Sequence, residues 1–193
     1  MNCGSMRVWP VLAVLTSLGA GCSSTVALDS VFERAYQAQL WGRQEEAIRL
    51  YEALLGDESA TAAVWNNLGI AFLLQGKADT SLLALAIALD MDPNNLLTRY
   101  VVAVALTELG RFAEANQQIG QIRVMRQAVI DSTISRLGMP TYNGMDLRVV
   151  EPEFEQKLAT LQDACARSHA LTRPEVVAFV QQVSPLIALH RST

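Results

Sequence analysis

The sequence predicts an all-α protein, built as a short α-solenoid of about three helix-turn-helix units with a helical cap at its C-terminus. Ala and Leu each occur 26 times in 193 residues, and both are strong helix formers. Hydrophobic residues make up 51% of the chain but aromatic residues only 6%, so the residue types that favour strands are scarce. Gly42, Gly76 and Gly110 are evenly spaced along the chain, which indicates an internal repeat.

The spacing of these glycines divides the middle of the chain into units 28–61, 62–95 and 96–126. Small residues stand at the eighth and twentieth positions of each unit, namely Ala35, Gly69 and Ala103, and Ala47, Ser81 and Ala115. Large apolar residues stand at the twenty-fourth position, namely Tyr51, Leu85 and Ile119. We expect the small residues to let the two helices of a unit approach closely. The glycines at position fifteen would supply a positive φ where the first helix ends.

The middle unit carries the most informative run of residues. It reads Trp65-x-x-Leu68-Gly69-x-x-Phe72, followed by Ser81-x-x-x-Leu85 and Pro93. This pattern and its period resemble the tetratricopeptide repeat, a helix-turn-helix unit of about 34 residues. Units one and three have Val31 and Arg99 where the middle unit has Trp65, so the resemblance depends most on the middle unit.

The resemblance implies a concave surface lined by the first helix of each unit, to which a peptide would bind. The lining residues carried over from the family are Phe32, Tyr36, Gln39, Asn66, Ile70, Leu73, Tyr100, Val104 and Thr107. These side chains are apolar or aromatic with a few amide and hydroxyl groups, a character that suits a peptide with apolar anchors. The alternative is that Phe32, Tyr36 and Tyr100 pack against a terminal helix of the same chain.

The segment 1–21 has the parts of a secretory leader, with Arg7 before an apolar run and small residues at its end. The run Ala20-Gly21-Cys22 resembles a bacterial lipoprotein signal, in which the cysteine is acylated and becomes the mature N-terminus. The resemblance implies export, a lipid on Cys22, a short linker at 22–27 and an outer-membrane protein facing the periplasm. A soluble periplasmic protein, a buried N-terminal helix and a translation start at Met6 remain alternatives.

The last third departs from the period of the glycines. The helix that begins at Phe112 is expected to continue to about Leu137, and the glycine- and proline-containing segment 138–152 is expected to be a loop. The remainder, 153–193, is expected to form a helical hairpin that caps the stack. Its second helix should begin at the capping box Thr172-Arg173-Pro174-Glu175 and run towards Leu189.

The sequence offers little for catalysis or for metal and cofactor binding. Cys165 and His169 are four residues apart, but a nucleophile pair also needs an orienting group and an oxyanion site. No cluster of metal ligands, phosphate-binding loop or nucleophile elbow is present, and we expect no cofactor, metal or small-molecule substrate. A net charge of −4 argues against nucleic-acid binding.

These features together predict a non-enzymatic adaptor that is anchored to a membrane by its lipid and binds a protein or peptide of the cell envelope. The arrangement resembles small lipoproteins that assist pilus or secretion-channel assembly, including those of tight-adherence (Flp-type) pilus systems. An accessory regulator of a cell-wall enzyme is the alternative function, and an enzyme that uses Cys165 is a third possibility.

Overall fold

The structure is a computed structural model, which describes the backbone of residues 19–56, 60–137, 141–142 and 145–181. The predicted helical fold is confirmed, because these residues form helices and one short antiparallel strand pair. The helices are α1 (Gly19–Leu40), α2 (Gln44–Leu55), α3 (Ala62–Gln75), α4 (Ala78–Met91), α5 (Leu96–Glu108), α6 (Phe112–Leu137), α7 (Leu147–Ala166) and α8 (Arg173–Gln181). The strands are β1 (Thr141–Tyr142) and β2 (Met145–Asp146).

The three periodic glycines end α1, α3 and α5 in the same way. Gly42, Gly76 and Gly110 have φ values of 75°, 91° and 72°. At Gly76 the backbone N–H donates to the carbonyl of Leu73, and the next N–H, of Lys77, donates to that of Phe72. The same pair of bonds recurs at the other two glycines, which makes each helix end a Schellman motif. The predicted role of these glycines is confirmed.

The small residues of the period lie where successive helices pack together. Ala35, Ala47, Ala103 and Ala115 have no exposed surface, and Gly69 is also buried. The residues at position twenty-four are equally enclosed, with Tyr51, Leu85 and Ile119 each at most 1% exposed. The sequence pattern therefore identified the buried contacts between the paired helices.

The residues of the middle-unit motif contribute to the same packing. Leu68 is buried, and Trp65 and Phe72 are partly buried against the cluster formed by α1, α2 and α3. Helix α4 ends at Met91, immediately before Asp92 and the exposed Pro93. The helix ends there because the residue before a proline is disfavoured in the α conformation.

Two apolar clusters hold the described chain together. The first joins α1, α2 and the N-terminal part of α3, and includes an edge-to-face contact of Phe32 and Tyr51 with ring centroids 5.4 Å apart. The second joins α3, α4, α5 and α6 to α7 and α8. The C-terminal helices therefore belong to the main core.

Two predicted segments differ from the structure. The expected linker 22–27 is helical, because α1 begins at Gly19 and continues without a break to Leu40. Part of the expected loop 138–152 is also helical, since α7 begins at Leu147 and contains Pro152. This proline is the sixth residue of α7, beyond the first turn, so it removes one backbone hydrogen bond of the helix. Helix α6 extends as far as Leu137, and the expected stop at residue 138 lies outside the described residues.

The C-terminal helices follow the predicted order, with α8 beginning at Arg173. The carboxylate of Glu175 accepts bonds of 2.8 Å from the backbone N–H and 2.7 Å from the hydroxyl of Thr172, which is one half of the expected capping box. The structure describes α8 as far as Gln181, so the predicted continuation to Leu189 lies outside the described residues.

Candidate protein-binding surface

The predicted groove residues of the first unit lie in or beside the first apolar cluster. Phe32 is 4% exposed and packs on Tyr51, and Tyr36 is half-buried. Burial, with a smaller contribution from the charge of Glu33, raises the pKa of Tyr36. Gln39 is buried, and neither polar atom of its amide has a hydrogen-bond partner among the described residues.

The predicted groove residues of the second and third units lie beneath the C-terminal helices. Ile70, Leu73, Tyr100, Val104 and Thr107 have no exposed surface. The apolar members share one cluster with residues of α7 and α8, namely Phe154, Leu158, Leu161, Ala164, Cys165, Val176 and Val180. In this structure a peptide could reach them only if α7 and α8 moved away. Their role as a peptide-binding groove stays a prediction.

The side chain of Tyr100 shows how closely the chain covers this face. Its ring lies 5.5 Å from that of Phe154 on α7, measured between centroids. Its hydroxyl is buried without a hydrogen-bond partner among the described residues, and burial raises the pKa of Tyr100 well above its ordinary value. In this structure, Tyr100 therefore packs against the chain's own C-terminal helices.

The polar groove residues also form contacts within the chain. Thr98 of α5 donates a buried hydrogen bond of 2.9 Å to the side-chain oxygen of Asn66 on α3. The hydroxyl of Thr107 donates to the carbonyl of Ala103 at 2.8 Å and lies 3.4 Å from the sulfur of Cys165. Since the single proton of that hydroxyl is already donated, the thiol is the donor in the second contact. Cys165 is therefore a buried packing residue in this structure.

His169 lies apart from Cys165. Its imidazole is exposed and lies 3.4 Å from a carboxylate oxygen of Glu175 at the start of α8. Helix α7 ends between the two residues, at Ala166, and Ser168 beyond its end has a φ of 50°. The structure thus places the sulfur against α5 and the imidazole beside the N-terminus of α8.

Arg173 is a connecting residue that the sequence identified only as part of a capping box. Its guanidinium donates to the backbone carbonyl of Leu73 at the C-terminal end of α3 and to the carboxylate of Glu108, at 3.1 Å, at the end of α5. A cation at two helix C-termini is favourable because the free carbonyls carry partial negative charge. One side chain thus joins α8 to both helices that it covers.

The environment of Glu108 opposes its ionisation. Its carboxylate is mostly buried, and one of its oxygens has no hydrogen-bond partner among the described residues. Desolvation raises the pKa of Glu108, and the charge and hydrogen bond of Arg173 lower it by a smaller amount. The attraction of Arg173 therefore offsets only part of the cost of burying the charged carboxylate of Glu108.

A second group of ion pairs joins α6 to α7. Glu155 receives bonds from Arg123 at 2.9 Å and from Arg126 at 2.7 Å, and Arg123 also donates to Gln162 at 2.6 Å. These partners are far apart in sequence, so no local pattern could have indicated them. Together with Arg173, they attach the C-terminal helices by polar contacts as well as by apolar burial.

Cys22 is the predicted lipid-attachment residue, and the structure describes its backbone. Cys22 is the fourth residue of α1, and most of the predicted leader 1–21 lies outside the described residues. Among the helices that the structure describes, none has the length and apolar character needed to cross a membrane. In the same part of the chain, no group of three or more His, Cys, Asp and Glu side chains is suited to holding a metal ion.

The outward face of α4 is a feature that sequence reasoning missed. Leu83 is 70% exposed, Ile87 40% and Met91 50%, although all three are apolar and lie on one side of the helix. The signal was present in the sequence, since α4 is apolar around most of its circumference and such a helix is usually buried on all sides.

No protein-family model matches this chain, and no curated protein matches it.

Proposed function

We propose that this chain is a non-enzymatic adaptor of the tetratricopeptide type, which binds a protein of an envelope machine such as a pilus or secretion system. The observation that carries the proposal is the repetition of one helix pair. Helices α1 to α6 form three pairs at the period of the glycines, and in each pair the first helix ends in the same Schellman turn. Stacked units of this kind create extended surfaces suited to protein binding.

The chemistry of the described residues supports a binding role rather than catalysis. Cys165 is buried against Thr107, while His169 is exposed and pairs with Glu175. A cysteine nucleophile requires an adjacent base and access to a substrate, and this arrangement offers neither to Cys165.

The adaptor is held at the periplasmic side of the outer membrane by a lipid on Cys22. If Cys22 is the acylated N-terminus, α1 follows it directly and extends to Leu40, a distance of about 27 Å along the helix axis. Because α1 runs without a break from the anchor into the first helix pair, this pair would lie within about 27 Å of the membrane surface.

The anchor is tested with Cys22→Ser in the full-length chain, produced in cells that are fed a labelled fatty acid. Cys165→Ser is the matched control, because it removes a cysteine that the structure places in the core. We expect the wild-type chain and the control to carry the label and to sediment with membranes, and Cys22→Ser to lose both properties. Retention of the label by Cys22→Ser would contradict the lipid anchor.

The adaptor role is tested by chemical cross-linking in intact cells, followed by co-purification from detergent-solubilised envelopes. We expect subunits of one envelope assembly to be recovered with the wild-type chain in reproducible ratio. The adaptor proposal would be contradicted if no envelope protein, or only cytoplasmic proteins, were recovered. A cell-wall enzyme as the main recovered protein would favour the accessory-regulator alternative.

A further inference from the structure

The exposed apolar stripe of α4, formed by Leu83, Ile87 and Met91, has no partner among the described residues. The three residues are spaced by four, so their side chains lie along one side of the helix over about 12 Å. Their exposed fractions are 70%, 40% and 50%. The exposed Ala86 adds to the apolar character of this face.

The equivalent positions of the other two helix pairs show whether large apolar residues are needed there for packing. At the positions of Leu83 and Ile87, helix α2 has Arg49 and Ala53, and α6 has Gln117 and Gln121. All of these positions are exposed, so the helix pairs pack without any contribution from them. The large apolar side chains on α4 therefore serve no packing role that the other two pairs require.

The charges around the stripe indicate the kind of partner. Asp90 is exposed near the C-terminal end of the stripe, and α4 has no basic residue in its last turn. Asp79 is exposed at the other end, but it interacts electrostatically with Arg111 and stands two residues from the exposed Lys77. Asp90 has no ion pair among the described residues and adds to the negative end of the helix dipole. A partner that covers Ile87 and Met91 would gain by presenting a cation at this end.

The charge of Asp90 disfavours a parallel pairing of α4 with that of a second copy, because the two Asp90 carboxylates would be brought together. An anionic membrane surface would be repelled by the same carboxylate. A cationic amphipathic segment is the occupant that fits both the apolar and the acidic parts.

We propose that the outward face of α4 binds an amphipathic helical segment of a partner protein, whose apolar residues pack on Leu83 and Ile87 and whose Lys or Arg contacts Asp90. This inference rests on the proposed adaptor function and names the surface used for it. It places the binding surface on α4, because in this structure the chain's own C-terminal helices cover the predicted groove of α3 and α5.

The test places a photo-cross-linking amino acid at residue 83 of the full-length chain in its own cells. Arg49 and Gln117 are the matched control positions, because they are the equivalent residues of α2 and α6. We expect cross-linking at residue 83 to exceed that at either control by about tenfold, as expected for an anchor residue in an interface. Mass spectrometry of the cross-linked peptide should identify a protein segment with apolar residues at helical spacing and a Lys or Arg beside them.

Two variants of α4 and a control variant of α6 distinguish the α4 surface from the general adaptor function. The double variant Leu83→Gln, Ile87→Gln copies the glutamines of α6 and should weaken recovery of the partner about tenfold or more. Val124→Gln, which changes another exposed apolar residue on α6, should leave recovery unchanged. Asp90→Asn should weaken binding about two- to fivefold at low salt. Unchanged thermal unfolding would show that the variants fold.

The outcomes separate the two proposals. A partner that the double variant still recovers in full would overturn the α4 surface and leave the adaptor function standing. Absence of cross-links at residue 83 would overturn the α4 surface, as would cross-links to lipid, to a second copy or to a segment without cations. Absence of any envelope partner of the wild-type chain would overturn both proposals.

Discussion

Gly69 of α3 lies so close to Leu85 of α4 that a Cβ atom on the glycine would be 2.7 Å from Cγ of the leucine. The backbone oxygen of Ser81 would be 3.3 Å from the same Cβ. These three residues occupy positions eight, twenty and twenty-four of the middle unit, which the sequence pattern had singled out. The close approach of α3 and α4 therefore depends on the absence of one side chain.

The first prediction concerns this contact. Gly69→Ala should lower the free energy of unfolding by about 1–3 kcal/mol, because the added methyl group overpacks the crossing of α3 and α4. Gly120→Ala is the control, since nothing lies within 4 Å of a Cβ at that exposed position of α6. There the better helix propensity of Ala should raise stability by up to about 1 kcal/mol. Urea denaturation measures both values, and equal effects at the two positions would contradict the close approach.

The second prediction concerns Ser168, which lies just beyond the end of α7 in a left-handed conformation with a φ of 50°. Its backbone N–H donates to the carbonyl of Cys165 and that of His169 to the carbonyl of Ala164, as at the glycine-ended helices. Ser168→Gly should therefore raise the free energy of unfolding by up to about 1 kcal/mol, because glycine adopts this conformation without strain.

The converse change is Gly42→Ala. Nothing lies within 4 Å of a Cβ there, so any cost arises from the positive φ alone and should be about 1 kcal/mol. Thermal unfolding of the two variants should shift in opposite directions. A stabilised Gly42→Ala variant would contradict the helix-end geometry.

The third prediction concerns the pH dependence of stability at Glu108. Desolvation raises its pKa in the folded chain above the ordinary value of 4.5, so the folded state favours the protonated carboxyl. The stabilising contribution is complete below pH 4.5, and it is lost as the pH rises through the raised pKa of the folded state.

Glu108→Gln isolates this contribution because the amide does not titrate. The free energy of unfolding of the wild-type chain should fall relative to that of the variant as the pH rises above 4.5. Denaturant unfolding at a series of pH values measures the difference. A relative rise of the wild-type value over this range would mean that pairing with Arg173 outweighs desolvation.

The fourth prediction concerns the attachment of α8. Arg173→Met keeps the apolar stem of the side chain but removes the donors to the carbonyl of Leu73 and to Glu108. We expect amide hydrogen exchange in α8 to become faster by about tenfold or more, since a buried carboxylate loses its partner. Exchange in α2 should not change, because the hydrogen bonds and the ion pair of Arg173 join it to α3 and α5.

Lys77→Met is the control for the removal of a cation, because Lys77 is exposed and adjoins the same helix end. Unchanged exchange in α8 of the Arg173 variant would show that the apolar residues Val176 and Val180 suffice to hold the helix. Faster exchange throughout the chain would indicate global destabilisation, which the unfolding free energy would also report.

Local properties of the fold were predictable from the sequence because they depend on neighbouring residues. A glycine at position fifteen permits a positive φ, and small residues at positions eight and twenty permit a close helix crossing. The end of α4 before Pro93 follows from the same kind of local chemistry. The loop prediction for 138–152 was wrong for residues 147–152, which belong to α7. The reason is that Pro152 was interpreted as a loop residue.

Tertiary structure decided which faces of these helices are covered. Thr107 and Cys165 are 58 residues apart, and Leu73 and Arg173 are 100 apart. Their contacts therefore form only because α7 and α8 pack on α3 and α5. Helical periodicity shows that a face is apolar but does not show what covers it. The predicted groove on α3 and α5 and the stripe on α4 are both apolar, yet α7 and α8 cover the first and leave the second exposed.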